Sequence, residues 1–324
     1  IPVVIYSEVS GFFMHAWVSE QKKQLNLQSI NTGQGAGILL ASSEFFYERK
    51  SMKPTDILNS VIKVSQDKAE GSFAKLFILG ILAGAFISFG AEGSNMAACN
   101  LLASPETYGL GRILAGVIFS AGLIMVVLAG AELFTGNTLI LCGVLEKKVR
   151  VTAMLRNWVI VYAGNLAGAL LIAWLMNQTG LFSSGGDMLG AMTVKIGAGK
   201  TSLSFGRAFI LGMLCNWLVC LAVWISFGAD STIGKIFGIV FPITLFVTSG
   251  FEHSIANMYY IPAAIFAKAD YAQAALDIGL SSQSLNSLDW YGFFVTNLIP
   301  VTLGNIAGGC IFVALLYWIC YRKA

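Results

Sequence analysis

Six apolar stretches, each long enough to cross a lipid bilayer, constrain this chain more than any other feature. A spanning helix needs about 20 mainly apolar residues to cross a hydrocarbon core about 30 Å thick. The stretches cover residues 76–102, 113–145, 157–186, 208–229, 236–267 and 290–321. Only 11% of the 324 residues are charged, a composition that a water-soluble domain of this size does not have. The sequence therefore predicts an all-α membrane protein with six transmembrane helices.

The second and fifth stretches each contain an acid near the middle, Glu132 and Glu252, and are longer than the first stretch, which is interrupted only by Glu92. As one helix, the 33 residues of the second stretch would be about 50 Å long, which is too long for the bilayer core. Glycines and polar residues beside each acid allow the chain to leave helical geometry. We therefore predict a helix break at each acid. We expect Glu132, Glu252 and Asn137 to support the breaks, the two acids by binding backbone N–H groups at the half-helix ends.

Two motifs indicate an internal repeat. The pattern Gly-x-Glu-x-x-x-x-Asn begins at Gly130 and again at Gly250, an offset of 120 residues. The pattern Gly-Asn-x-Ala-Gly begins at Gly164 and again at Gly304, an offset of 140 residues. Such spacing predicts two halves of three helices each. Because three is odd, the halves should enter the membrane from opposite sides as an inverted repeat, and their broken helices should mark the permeation path.

Basic residues predict the orientation. They precede the first span and fill the link between the second and third spans, at Lys63, Lys68, Lys75, Lys147, Lys148, Arg150 and Arg156. Cytoplasmic loops carry an excess of lysine and arginine. We therefore expect an integral protein of the cell (plasma) membrane with both termini in the cytoplasm.

The N-terminal region divides at Met52. Residues 1–51 have neither a helical period nor the pattern of a signal peptide, and we expect a poorly ordered extension there. Residues 54–70 have an amphipathic pattern that predicts an interfacial helix before the first span. Residues 52–324 should then form the transmembrane channel domain.

Several classes of function do not fit. The net charge of +3 and the scattered basic residues do not make a nucleic-acid surface. The six cysteines have neither metal nor disulfide spacing, and we expect all of them to be buried packing residues: Cys99, Cys142, Cys215, Cys220, Cys310 and Cys320. One histidine in the spanning region cannot supply paired haem ligands. We therefore expect no enzyme activity, cofactor or metal.

His253 is the only histidine in the six stretches. Ionisable groups at membrane depth are costly, which makes them functional candidates. An imidazole can give a hydrogen bond or a proton to the anion of a weak acid. These properties favour a channel for small anions. A channel for water or small neutral solutes is the alternative function, but both breaks lack the Asn-Pro-Ala triplet of such channels and carry Glu or His instead.

Three longer runs resemble the formate/nitrite transporter family: residues 132–138 (ELFTGNT), 250–258 (GFEHSIANM) and 297–309 (NLIPVTLGNIAGG). The resemblance extends over residues 54–322. It implies a homopentamer of aquaporin-like protomers, each with its own pore through the lipid bilayer. It also implies transport of formate, nitrite or hydrosulfide with pH-dependent gating or protonation. The run Thr135-Gly136-Asn137 replaces the Thr-Ser-Thr of some formate channels and looks more like the hydrosulfide branch, so all three anions stay open.

The resemblance also implies roles for single residues. The pore histidine corresponds to His253, the loop threonine to Thr135, and the vestibule lysine to Lys200, which we expect in a loop before the fourth span. The remaining positions of the path are four apolar constrictions and two polar residues, namely Phe119, Leu123, Leu133, Phe246, Asn216 and Asn257.

Overall fold

The structure, a computed structural model, describes residues 52–322, and within these the chain is helical without strands. The predicted extension, residues 1–51, lies outside the described residues. The helices are α1 Pro54–Ala69, α2 Phe73–Ala103, α3 Tyr108–Ala129, α4 Phe134–Leu145, α5 Val151–Gln178, α6 Met188–Thr201, α7 Phe205–Phe227, α8 Thr232–Ser249, α9 Ser254–Asp277, α10 Ser282–Asn286 and α11 Gly292–Tyr321.

Six of the described helices, α2, α3, α5, α7, α8 and α11, are long and apolar enough to cross a membrane. This confirms the prediction of six spans, and the chain is an integral membrane protein. The third span lies earlier than predicted, because Arg156 belongs to its first turns and sends its guanidinium to the carbonyl of Gly71 at 2.9 Å. A basic side chain at a helix end can reach polar surroundings in this way.

Both predicted helix breaks are present. Helix α3 ends at Gly130 with φ of 82°, and α8 ends at Gly250 with φ of 79°. Glycine adopts this left-handed conformation without a steric penalty and commonly ends a helix. Three non-helical residues follow each glycine before α4 and α9 begin. Each break is joined to a neighbouring span, since the N–H groups of Glu132 and Glu252 donate to carbonyls of α2 and α7 at 3.1 and 3.2 Å.

Glycines bring the spans that flank the breaks into close contact. A Cβ on Gly168 of α5 would clash with the carbonyl oxygen of Ile81 on α2, and one on Gly308 of α11 would clash with that of Met213 on α7. Small residues of this kind let helix backbones approach each other in membranes. The asparagines of the same motifs are thereby brought within reach of the breaks.

The first half consists of α1–α5 and the second of α6–α11. Helix α6 was not predicted, and Lys200 lies in its last turn rather than in a loop. The segment is short and contains three glycines, so that no clear helical period shows in its sequence. The predicted helix over 54–70 is present as α1.

Met52 and Tyr321 pack in one apolar cluster, so the two ends of the described chain lie at the same end of the bundle.

Candidate functional site: two cationic cavities and the partition between them

An asparagine side chain holds each helix break. Asn165 of α5 accepts the N–H of Phe134 at 3.0 Å, and its Nδ2 donates to the carbonyls of Gly80 and Glu132 at 2.8 and 2.9 Å. Asn305 of α11 makes the same three bonds in the second half, to Ser254, Gly212 and Glu252 at 2.9, 2.7 and 3.0 Å. Backbone groups in lipid need such partners. The sequence identified these asparagines only as marks of the repeat.

We expected the carboxylates of Glu132 and Glu252 to bind the half-helix N–H groups, but they do not. Glu132 pairs with Lys68 Nζ at 2.8 Å and accepts Asn137 Nδ2 at 2.7 Å. Glu252 pairs with Lys200 Nζ at 2.9 Å and accepts Asn257 Nδ2 at 2.6 Å. The prediction was wrong because Asn165 and Asn305 already satisfy the first N–H of each half-helix. The acids are therefore free to neutralise lysines.

A further asparagine links the amide of each group to the backbone of its lysine. Asn157 Oδ1 accepts Asn137 Nδ2 at 2.8 Å, and Asn157 Nδ2 donates to the carbonyl of Lys68 at 2.9 Å. Asn297 makes the equivalent bonds to Asn257 and Lys200 at 2.8 and 3.0 Å. Each lysine is therefore fixed both by its side chain and by its backbone.

Two cavities lie beside the breaks. Cavity A, of about 350 Å³, is lined by the second break, including Glu252 and His253, and by parts of α2, α3 and α6–α9. Cavity B, of about 470 Å³, is lined by the first break, including Glu132 and Leu133, and by parts of α1–α4, α7 and α8. Lys75 near the start of α2 lines cavity B, whereas Asn95 near its end lines cavity A. The cavities therefore lie towards opposite ends of a spanning helix.

Both cavities are cationic. Cavity A has three basic residues, Arg112, Lys195 and Lys200, against Glu252, which gives a formal charge of +2 with His253 neutral. Cavity B has Lys68, Lys75 and Lys235 against Glu132, which again gives +2. A concave surface of one sign raises the local concentration of oppositely charged solutes. Lys68, which the sequence reading did not assign to the path, is thus the counterpart of Lys200.

No described residue lines both cavities, and an apolar partition separates them. Phe119 and Phe246 line cavity A with their rings edge to face, 5.5 Å between centroids. Leu123 and Leu133 line cavity B. Leu123 follows Phe119 by about one turn of α3, so the two apolar layers are adjacent. The four expected constriction residues are thus divided between the two sides of the partition.

His253, which lines cavity A, contacts Thr135, which is buried and lines neither cavity. His253 Nε2 lies 2.9 Å from Thr135 Oγ1, and its Nδ1 accepts the N–H of Ala256 at 3.1 Å. Because Nδ1 is an acceptor, the neutral imidazole carries its hydrogen on Nε2 and donates it to the threonine oxygen. The hydrogen of the Thr135 hydroxyl then has no acceptor within the described part of the chain.

Two polar residues, Asn257 and Asn216, were also expected in the path. Asn257 lines cavity A. Asn216 lines neither cavity, because its Nδ2 binds Thr135 O and Thr138 Oγ1, both at 3.2 Å, and Asn305 O at 2.7 Å. It fixes the loop threonine rather than the path. Five cysteines are buried as expected, but Cys320 in the last turn of α11 is exposed.

Equivalent positions of the two halves line the two cavities. Pairs with identical residues include Lys68 and Lys200, Leu79 and Leu211, Ser94 and Ser226, Glu132 and Glu252, and Asn137 and Asn257. At other pairs the residues differ, and three of these differences place a polar side chain in cavity A and an apolar one in cavity B. They are His253 against Leu133, Tyr260 against Ile140, and Asn95 against Phe227.

Comparison with known proteins identifies a family and several similar channels. Residues 55–319 match the family model described as formate/nitrite transporter. The formate channel BtFdhC of Bacillus thuringiensis is 40% identical over 273 residues, which cover 84% of this chain and 96% of that protein. The formate channel FocA of Escherichia coli (strain K12) is 37% identical over 284 residues, covering 85% of this chain and 98% of that protein. A solved structure described as a pentameric formate channel with formate bound superposes with a TM-score of 0.68 at 39% identity, covering 78% of this chain and 98% of that chain.

Proposed function

Because the chain belongs to the formate/nitrite transporter family, we propose that it is a channel that conducts small monovalent anions, foremost formate, across the cell membrane. One observation carries the proposal: two cavities of formal charge +2 face each other across an apolar partition that contains a hydrogen-bond donor. Relatives named as formate channels support formate as the substrate. Nitrite and hydrosulfide are further substrates to be tested.

The cavities attract the anion and the partition selects it. In cavity A the anion meets Lys200, whose charge is held in place by Glu252, and in cavity B it meets Lys68 held by Glu132. Fixed charges cost no reorganisation when the solute arrives. Beyond each lysine the anion must give up its water to pass the apolar side chains, and an unpaired polar group is costly there.

The Thr135 hydroxyl supplies the missing hydrogen bond. His253 orients it, because Nε2–H donates to Oγ1 and leaves the hydroxyl hydrogen for the anion. The geometry favours this hydrogen-bond donation over transfer of a proton from His253. An imidazolium would direct an Nδ1–H towards the N–H of Ala256, which now binds Nδ1 at 3.1 Å. A proton that neutralises the weak acid would come from water in the cavities, so the pH dependence of flux would follow protonation of the weak acid.

The same family membership supports a homopentamer with one path in each protomer, since a similar structure is described as pentameric. Cavity B lies at the end of the bundle where Lys75 begins α2 and where the ends of the described chain meet. The positive-inside rule then supports a cytoplasmic position for this end, and with it for the two ends of the described chain. Each half contributes three crossings, which supports the inverted arrangement of the halves.

A channel for neutral solutes is the rival function, but a neutral solute has no use for two cavities of formal charge +2. The deciding experiment uses the purified protein in liposomes, with uptake of formate, nitrite, hydrosulfide and glycerol measured over a pH series. We expect formate uptake that empty liposomes lack, with little uptake of glycerol. Uptake of glycerol at the rate of formate would refute the proposal.

A further inference from the structure

The repeat itself points to one more residue in the path. Asn95 and Phe227 occupy equivalent positions on α2 and α7, 132 residues apart, as are Lys68 and Lys200. Asn95 lines cavity A and Phe227 lines cavity B. The neighbouring pair Ser94 and Ser226 is identical and lines the same two cavities. The substitution of an amide for a phenyl group is therefore a local departure from a shared framework.

The amide of Asn95 lacks a protein partner for its donor. Asn95 is 3% exposed, and its Nδ2 is enclosed by the protein and makes no hydrogen bond within the described part of the chain. Rotation of the amide about χ2 exchanges Nδ2 with Oδ1 and turns the donor towards the cavity. A buried polar group without a partner is rare and calls for an explanation such as a water or a ligand. Glu92, one turn earlier on α2, makes no hydrogen bond to Asn95 in the described part of the chain: its Oε2 accepts the Tyr259 hydroxyl, and its Oε1 is likewise buried without a partner.

The surroundings of Asn95 select the charge of the ligand. Arg112, Lys195 and Lys200 line the same cavity, and the single acid, Glu252, is bound to Lys200 and Asn257. An unpaired N–H donor in a cationic cavity suits an anion with strong acceptor atoms. Carboxylate oxygens are strong acceptors, whereas sulfur is a weak one.

We infer that Asn95 is a specificity-determining residue, whose carboxamide donates a hydrogen bond to an oxygen-bearing anion held in cavity A before it reaches the partition. The inference rests on the proposed function and deepens it, because it ranks carboxylates above hydrosulfide. The discriminating contact is thus on the side of the partition that also holds His253.

The test compares Asn95→Ala with Asn95→Ser, two variants of similar volume of which only the serine keeps a donor. The half-saturating concentrations of formate and hydrosulfide are measured by liposome flux for both variants and the wild type. We expect N95A to raise the value for formate roughly tenfold, the ratio that corresponds to about 1.4 kcal/mol, and to change that for hydrosulfide much less. N95S should recover part of the formate affinity. Phe227→Ala, at the equivalent position in cavity B, should change both anions to the same extent.

Equal shifts for formate and hydrosulfide in N95A, or no shift for either, would overturn the inference while leaving the proposed function intact. Absence of formate flux in the wild type would instead refute the proposed function. If N95A does not assemble, Asn95→Leu, which fills the space without a donor, replaces it. Failure of both while N95S assembles would assign Asn95 a structural role and would also overturn the inference.

Discussion

Replacing His253 by asparagine separates the two contacts that the imidazole makes. Asparagine is among the best residues at a helix N-cap, so its side chain can still accept the N–H of Ala256 at the start of α9. The side chain is too short to replace the bond from Nε2 to Thr135 Oγ1, which is 2.9 Å long. The substitution therefore removes the orientation of the threonine hydroxyl and leaves the helix start intact.

The size of the effect follows from the partition. An unpaired buried hydroxyl costs about 1–3 kcal/mol, and a barrier higher by that amount lowers flux by about 5- to 150-fold. Thr135→Val removes the same hydroxyl at nearly constant volume and should lower formate flux by a similar factor. Because both changes disrupt one hydrogen bond, the double variant should be little worse than either single variant.

The assay is formate flux into liposomes for the wild type, both single variants and the double variant, at several pH values. Pentamer elution and melting temperature serve as controls for folding. We expect lower flux at every pH with the same pH profile, because His253 orients a donor and does not exchange a proton. Multiplicative losses in the double variant would refute the coupling of Thr135 to His253, and a displaced pH profile would show that His253 titrates during transport.

Three further predictions concern stability and assembly. Glu252→Ala should lower the melting temperature more than Glu132→Ala, because the side chains of the Lys200–Glu252 pair are 15% and 7% exposed and those of the Lys68–Glu132 pair 25% and 12%. Replacement of either acid by glutamine should have a smaller effect. Asn165→Ala and Asn305→Ala should each reduce the free energy of unfolding by at least about 1–3 kcal/mol, since a buried N–H is left unpaired; normal melting curves would contradict the assigned roles. Deleting residues 1–51, which lie outside the described chain, should leave pentamer assembly and formate flux intact, and size-exclusion chromatography with the flux assay would reveal a failure of that expectation.

Much of the architecture could be predicted because membranes impose simple rules on sequence. Hydropathy identified six spans, and one acid within an overlong stretch identified each break, at Glu132 and Glu252. Both signals are local and arise from lipid, which penalises charge and unsatisfied backbone alike. The family resemblance, carried by the same segments, is confirmed by the match over residues 55–319.

The bonding within the site could not be predicted, because it depends on distances between helices. Asn165 and Asn305 reach the breaks only because glycines such as Gly84 bring neighbouring backbones together; a Cβ there would meet the backbone of Asn165. Sequence reading therefore assigned the support of the breaks to the nearest acids. Helix α6 was missed for a different reason: it is short and rich in glycine. The sequence does contain a signal that α6 is the repeat equivalent of α1, because Lys68 and Lys200 are 132 residues apart, as are Leu79 and Leu211.

The repeat separates what the two ends of the path share from what distinguishes them. The groups Lys68–Glu132–Asn137 and Lys200–Glu252–Asn257 have matching ion pairs and matching amide-to-carboxylate bonds. In the proposed function both cavities would therefore attract anions by the same means, and neither would favour a direction of flux. Selection would then arise where the halves differ: His253, Tyr260 and Asn95 in cavity A stand against apolar residues in cavity B, whereas Lys235 in cavity B stands against Ala115 in cavity A. Since the two ends attract alike, the concentration gradients of the anion and of protons would determine the direction of transport, while His253 and its neighbours would determine which anion passes.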